Sequence, residues 1–368
     1  MPTRDTVLQI VPRLPGTFDG VGDYALNLAK ALSANHGITT TFLVAEKTAV
    51  ESREGYTVLS GFDGTTPAGL AQKYEHVILH YVNYGYQSRG VPFALRTFVR
   101  ELRGQLHGRW VTTFHEIYAS GPPWKSAFWL RPLQVKIAHD VIDASSACVV
   151  SNAPIEKVIH AYEARKKVYL LPIMSNFGEP ELGDFEAASP RRWVICGGTA
   201  LVARSLRWFE QMQQLIPESF APEHLDVVGG HEEISIRSTL ERLSRRRPGL
   251  SCHYHPEVAP QVASEILGRS CFALLDYFGA DKVWPGMLLK SSVFAGLCAH
   301  GIVPILSHRE EAISIDGDAM PGPYYLMPGA MNFPAPEELG EIRQRIHRWY
   351  HRHGDSRQVA AGYAEALR

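Results

Sequence analysis

No run of the chain approaches the roughly 20 consecutive apolar residues of a membrane-spanning helix. The opening MPTRDTVLQIVP leads straight into an apolar strand without a leader-like segment. The sequence therefore predicts a soluble cytoplasmic protein, or at most one held peripherally at the inner face of a membrane. Net charge is missing as well. Lys and Arg number 37 against 38 Asp and Glu, a formal charge of −1, so no global field draws the chain to nucleic acid or to a bilayer. A polyanionic partner would need a local patch. Cysteine is scarce: Cys148, Cys196, Cys252, Cys271 and Cys298 lie mostly inside apolar runs and none forms a CxxC. They read as small, reduced core residues. The tight GxGxxG register of a dinucleotide fold is also absent, which disfavours a nicotinamide site.

What is present is apolar and α/β in rhythm. With 368 residues and 45% hydrophobic content, the chain is long for one α/β core and comfortable for two domains. Short apolar strands are predicted at residues 7–11, 39–45, 56–59, 76–81, 109–114, 147–151 and 168–172, separated by helical segments such as 23–35, 92–106, 124–143 and 154–165. Such strands suit a parallel sheet covered on both faces. Periodicity vanishes over residues 175–190, where Gly, Pro and acids take over as a linker. A second series then starts at Trp193, with a helix from Arg204 and strands at 225–228, 251–255, 271–276, 302–306 and 324–327, before two terminal helices at about 336–351 and 356–367. The expected fold is α/β, two Rossmann-like lobes facing each other across a cleft. The expected domains are residues 1–178, residues 179–345, and a helix at 346–368 packing back on the first.

Residues 276–304, DYFGADKVWPGMLLKSSVFAGLCAHGIVP, organise the second half. Strand, glycine loop, and a helix start carrying Lys290, Ser291 and Ser292 make a place able to hold an anion, because first-turn N–H groups and the helix dipole favour a phosphate. The plainer reading is an ordinary βαβ unit whose Lys290 is solvated and whose serines cap the helix. Two further places stay open in the same way. The turn with Gly16, Gly20 and Gly22 either needs left-handed glycines or lets a phosphate or sugar approach the backbone. His115 and Glu116 end a strand where ligands of open parallel sheets gather, yet a histidine there is also often structural.

Taken in order, these segments resemble a glycosyltransferase of the GT-B fold, and within it the retaining family numbered four. The resemblance runs along essentially the whole chain. DGVGDYALNLAKAL resembles the family's first glycine loop, which implies Gly20 and Gly22 near the donor diphosphate; VTTFHE resembles the strand whose histidine faces the transferred sugar, which implies His115. GGTALVARSL resembles the loop ending in a phosphate-binding cation, so Gly198, Thr199 and Arg204 take those positions, with Thr199 where the family often has another Arg. VVGG implies Gly229, and HYHPEV implies that His255, Pro256, Glu257 and Val258 lie beside the base. The paired-glutamate region is matched by Asp276 at its first acid, and by Met287, Leu289, Ser291 and Ser292 along the donor. About seven extra residues intervene there, and Ser291 stands where the second glutamate would bind ribose.

The resemblance implies transfer of a hexose, with glucose favoured, from a UDP-sugar to a polysaccharide or glycolipid, with retention and without a metal. His115, Arg204 and Lys290 would carry the catalysis. Cations and amide dipoles at the leaving diphosphate are what this bond cleavage needs. The alternatives are an epimerase-like enzyme or an inactive nucleotide-sugar sensor. A nucleotide-sugar and a glycan or glycolipid are the expected partners, and nucleic acid is not among them. Asp316-Gly317-Asp318 reads as an acidic turn rather than a metal motif, and the His347/His351 pair as part of a helix whose Ile346, Trp349 and Tyr350 face inward.

Overall fold

The computed structural model describes residues 6–14, 20–62, 66–119, 121–181, 189–277 and 286–368. Gly16, Phe278, Gly279, Pro285 and linker residues 182–188 lie outside them. The chain forms two compact units, Met1–Ile173 with Ser356–Arg368, and Met174–Asp355. Each is a Rossmann-like α/β body.

In the first unit the strands are β1 (Thr6–Val11), β2 (Thr39–Val44), β3 (Ser52–Arg53), β4 (Tyr56–Ser60), β5 (His76–Tyr81), β6 (Trp110–Phe114), β7 (Ala147–Val150) and β8 (Val168–Leu170). They form one sheet in the order β3-β4-β2-β1-β5-β6-β7-β8, parallel except at the β3–β4 edge. Order reverses between β1 and β5, the position at whose carboxyl end ligands of doubly wound sheets collect. The principal helices are α1 (Gly20–His36), α2 (Pro67–Lys73), α3 (Asn83–Tyr86), α4 (Phe93–Arg103), α5 (Ser126–Ala144) and α6 (Ala153–Tyr162). Gly20 opens α1, so both Gly20 and Gly22 sit in its first turn, not in the preceding loop.

In the second unit β9 (Arg192–Cys196), α7 (Thr199–Met212), β10 (His224–Val228), α8 (Ile234–Arg246), β11 (Ser251–His255), α9 (Pro260–Gly268), β12 (Phe272–Leu275), α10 (Ser292–Ala299), β13 (Val303–Leu306), β14 (Ser314–Ile315), β15 (Asp318–Ala319), β16 (Tyr324–Met327) and β17 (Ala330–Asn332) precede α11 (Leu339–His353). The sheet runs β11-β10-β9-β12-β13-β16-β17, antiparallel only at its last pair, and its order reverses between β9 and β12. Asp316-Gly317 is the tip of the separate β14–β15 hairpin.

The divisions fall at 173/174 and 355/356, where the sequence suggested 178/179 and 345/346. The second shift has a clear cause. Ile346, Trp349 and Tyr350 all join the core of the second unit, so α11 belongs to it throughout. Arg343, fully buried on the same helix, donates to the carbonyls of Gly301 and Ser270. The last helix, α12 (Ser356–Ala366), belongs to the first unit and packs on α1. Among the described residues no helix is long and apolar enough to cross a membrane.

Candidate functional site

Five chain segments of the second unit meet at the carboxyl edge of its sheet, around the β9/β12 reversal. After β9, Gly197 is left-handed (φ 135°) and Gly198 caps α7 without a side-chain acceptor. After β10, Gly229 (φ 92°) is packed so tightly that a Cβ would lie 2.6 Å from the Gly197 carbonyl. Its amide donates to His255 O, and the amide of Glu257 donates to Gly230 O, which ties the ends of β10 and β11 together. Gly198 is different: its φ is ordinary and a Cβ there would meet nothing within 4 Å. The fold does not require a glycine at that position, whereas a ligand approaching the amides of the α7 first turn would. Gly20, at the start of α1, also has open space where its Cβ would be.

Arg204 lies in the second turn of α7, because that helix begins at Thr199 and not at Arg204 as the sequence suggested. Its Nε and Nη2 donate to Asp276 O at 3.2 and 3.0 Å, and Nη2 also donates to Tyr277 O at 2.6 Å. The expected phosphate cation thus clamps the backbone beyond β12, where the chain leaves the sheet and its carbonyls lack ladder partners. Asp276 is held further by Ser205 Oγ on its amide and by Ser307 Oγ, which donates to its carboxylate at 2.8 Å.

Ser291 is 2% exposed, and its Oγ accepts the Phe294 N–H at 3.1 Å as the N-cap of α10. The capping alternative therefore describes this hydroxyl, and its burial rather than the cap keeps it from a ribose. Leu289 also differs from expectation, since its side chain joins the apolar core. Met287, Lys290 and Ser292 are partly exposed around the same turn. At the end of β11, His255 Nε2 lies 2.8 Å from Asp226 Oδ1, and just beyond the strand the left-handed Glu257 (φ 53°) reaches His231 Nδ1 at 2.7 Å. Thr199 Oγ1 accepts the His231 N–H, Pro256 is partly exposed, and Val258 packs against the core.

The first unit holds a second constellation, also at a strand-order reversal. One face of its central strands carries Thr40, Gln9, His80 and Thr113, all buried. Gln9 Nε2 donates to Thr40 Oγ1 at 3.1 Å, which turns Gln9 Oε1 toward His80 Nε2, 2.8 Å away. This orientation assigns the proton of His80 to Nε2 and leaves Nδ1 as an acceptor. His115 Nε2 is 3.2 Å from that Nδ1, so His115 donates to it through Nε2. Burial, then the neighbouring His115, holds the His80 pKa well below the usual imidazole range, so His80 stays neutral. Tyr24 meets both imidazoles edge-on; its hydroxyl lies 3.1 Å from Tyr363 of α12, which lies 2.5 Å from Thr113 Oγ1. Burial raises the pKa of both phenols.

Sequence reasoning singled out His115 but not Gln9, His80, Tyr24 and Tyr363, which the structure gathers around it. A signal existed for two of them: Gln9 and His80 are polar residues inside the apolar strands VLQIV and HVILHY. Tyr363 had none, because its partner Thr113 is 250 positions away. His347 Nε2 bonds to Pro180 O, and Asp318 pairs with Arg352 and His353. Among the described residues no group of three or more His, Cys, Asp or Glu side chains is arranged to hold a metal.

No protein-family model matches the chain, and no curated protein matches it by sequence. Solved structures do. An alpha-glucosyltransferase in complex with UDP-glucose and abasic DNA has a TM-score of 0.59 at 10% identity, covering 98% of both chains. A glycosyltransferase from Rickettsia africae ESF-5 has a TM-score of 0.58 at 11% identity, over 98% of this chain and 97% of that one. The lipopolysaccharide outer core galactosyltransferase WaaB has a TM-score of 0.56 at 12% identity, over 98% and 99%. The shared property is the fold, an α/β architecture of the GT-B type, over 98% of this chain.

Proposed function

We propose that the protein is a nucleotide-sugar-dependent glycosyltransferase that moves a hexose, glucose in the favoured reading, from a UDP-sugar to a polysaccharide or glycolipid, retaining the anomeric configuration without a metal. The observation that carries the proposal is the convergence of Gly198, Thr199, Gly229 and the clamped Asp276 on the carboxyl edge at the β9/β12 reversal. Its likeness to structures of sugar transferases, one of them holding UDP-glucose, supports the same reading.

Departure of a diphosphate concentrates negative charge on the bridging oxygen, so preoriented donors and cations lower the barrier more than a nucleophile would. In this reading the α7 amides beyond Gly198 and the Lys290 ammonium meet the phosphates. Arg204 adds charge and fixes the Asp276–Tyr277 backbone. His255, Pro256, Glu257 and Val258 border the base, Gly20 and Gly22 admit the donor to the first turn of α1, and Ser292 and Met287 line the sugar-nucleotide. His115, oriented by His80, faces the transferred sugar and steadies its positively charged ring. The departing phosphate takes the acceptor proton on the same face.

The test is donor hydrolysis followed by nuclear magnetic resonance of the anomeric proton, with UDP-glucose, UDP-galactose and GDP-mannose. Slow release of α-sugar from one donor, lowered about a hundredfold in His115→Ala, is expected. Release of β-sugar would contradict retention. Tight donor binding without turnover would favour a sensor, and interconversion of the sugar without its release an epimerase.

A further inference from the structure

The amino-terminal half of α5 is built unlike the other helices of the first unit. Its buried residues begin only at Gln134, and over Ser126–Leu133 no residue is buried. Apolar side chains nevertheless crowd this stretch and the turn before it. Trp124 is 83% exposed, Trp129 70%, Phe128 44% and Leu133 41%. A groove of about 870 Å³ runs beside them, bordered by Tyr118, Phe128, Trp129, Val135, His139 and Tyr162. The stacked His139 and Tyr162 rings, centroids 3.6 Å apart, form part of its wall.

Two chemical features distinguish what would cover this surface. Between Glu116 and Asp140 the chain has no acidic residue and three cations, Lys125, Arg131 and Lys136. Among the described residues none of the three forms an ion pair with a carboxylate, and Arg131 lies over the Tyr118 ring. The acids of α5 itself lie in its last turns and are engaged, Asp140 by Arg96 and Asp143 by the Tyr162 hydroxyl. The second feature is the Trp129 indole. Its N–H already donates to Pro123 O at 2.7 Å, so the ring enters an apolar medium without stranding a donor. A sugar-stacking tryptophan would gain from keeping that donor for a hydroxyl.

We propose that Trp124, Phe128, Trp129 and Leu133, ringed by Lys125, Arg131 and Lys136, form a docking surface for an anionic lipid bilayer. Aromatic rings suit the depth of the headgroups, and cations at their margin suit anionic lipids. The surface is continuous with the loop that follows β6, so it lies at the same edge of the first sheet as His115. Docking there would keep that edge at the membrane. The inference stands on this unit alone and is independent of donor chemistry.

The test is co-sedimentation of the full chain with vesicles of phosphatidylcholine, with and without phosphatidylglycerol, at low and high salt. The wild type should bind the anionic vesicles, lose binding with salt, and show indole quenching by brominated acyl chains. Each of Lys125→Gln, Arg131→Gln and Lys136→Gln should lower partitioning about fivefold. The triple change Trp124→Ser, Phe128→Ser, Trp129→Ser should abolish co-sedimentation while the melting temperature falls by no more than a few degrees, because these side chains are exposed. Equal binding to neutral and anionic vesicles, or triple-variant binding like the wild type, would overturn the proposal. So would quenching by soluble oligosaccharides without lipid, which would make the groove a glycan site, or a Trp129-dependent dimer in sedimentation.

Discussion

His80 fixes His115: their Nδ1 and Nε2 atoms are 3.2 Å apart, and the Gln9 amide on the far side of His80 decides which of them carries the proton. A buried relay of neutral groups therefore orients the ring assigned to the sugar. His115→Ala should lower turnover about a hundredfold and leave the UDP dissociation constant within about twofold, since the nucleotide is assigned to the second unit. His80→Phe should also lower turnover, and it should cost about 1–3 kcal/mol of stability because Gln9 Oε1 loses its donor. Unchanged turnover in His80→Phe, with stability reduced, would make the pair purely structural.

The same burial gives a pH dependence with a definite sign. The folded pKa of His80 is lowered, so between that value and about 6.5 the unfolded chain binds more protons than the folded one. Stability is then complete above the unfolded value and is lost as pH falls below it toward the folded value. His300 and His347, lowered chiefly by burial, act in the same direction. Thermal melts should shift down on acidification through this window, and less steeply in His80→Phe. Parallel curves for the two proteins would show that His80 does not contribute.

Two neighbouring glycines should separate ligand from fold. Gly198→Ala places its methyl in open space, so the melting temperature should hold while nucleotide affinity drops about tenfold or more. Gly229→Ala drives a methyl onto the Gly197 carbonyl at a left-handed backbone, and should cost about 1–3 kcal/mol. Calorimetry and denaturant melts on both variants give the comparison. If Gly198→Ala binds nucleotide like the wild type, the α7 amides are not the phosphate contact.

The two cations divide in the same manner. Arg204→Lys loses the fork that holds Asp276 O and Tyr277 O, and should destabilise the unit by about 1.5–3 kcal/mol. Lys290→Ala should barely move stability and should weaken UDP far more than uridine. Equal losses for UDP and uridine would remove Lys290 from the phosphates.

Strand and helix order was legible in the sequence because parallel strands buried on both faces read as continuous apolar runs, VLQIV, HVILHY and RWVIC among them. Edges were less so. Helix α7 begins five residues earlier than Arg204, because GGTALVA carries no charge and its cap, Gly198, reads as a turn as readily as a helix start. The direction of the Arg204 guanidinium, the capping role of Ser291 and the reach of Tyr363 across to Thr113 are all tertiary facts. Local pattern could not encode them. The terminal basic helix shows why: its polar Arg343 and His347 are buried, satisfied by carbonyls from Ser270, Gly301 and Pro180 that lie far away in the chain.

Titration calorimetry of the wild-type chain with UDP, UDP-glucose, GDP-mannose and NAD tests the central claim most directly. The account predicts saturable sub-millimolar binding of UDP and UDP-glucose, weakened by Gly198→Ala and by Lys290→Ala, with no binding of NAD. Failure of every nucleotide-sugar to bind at that concentration, or binding of NAD alone, would contradict it.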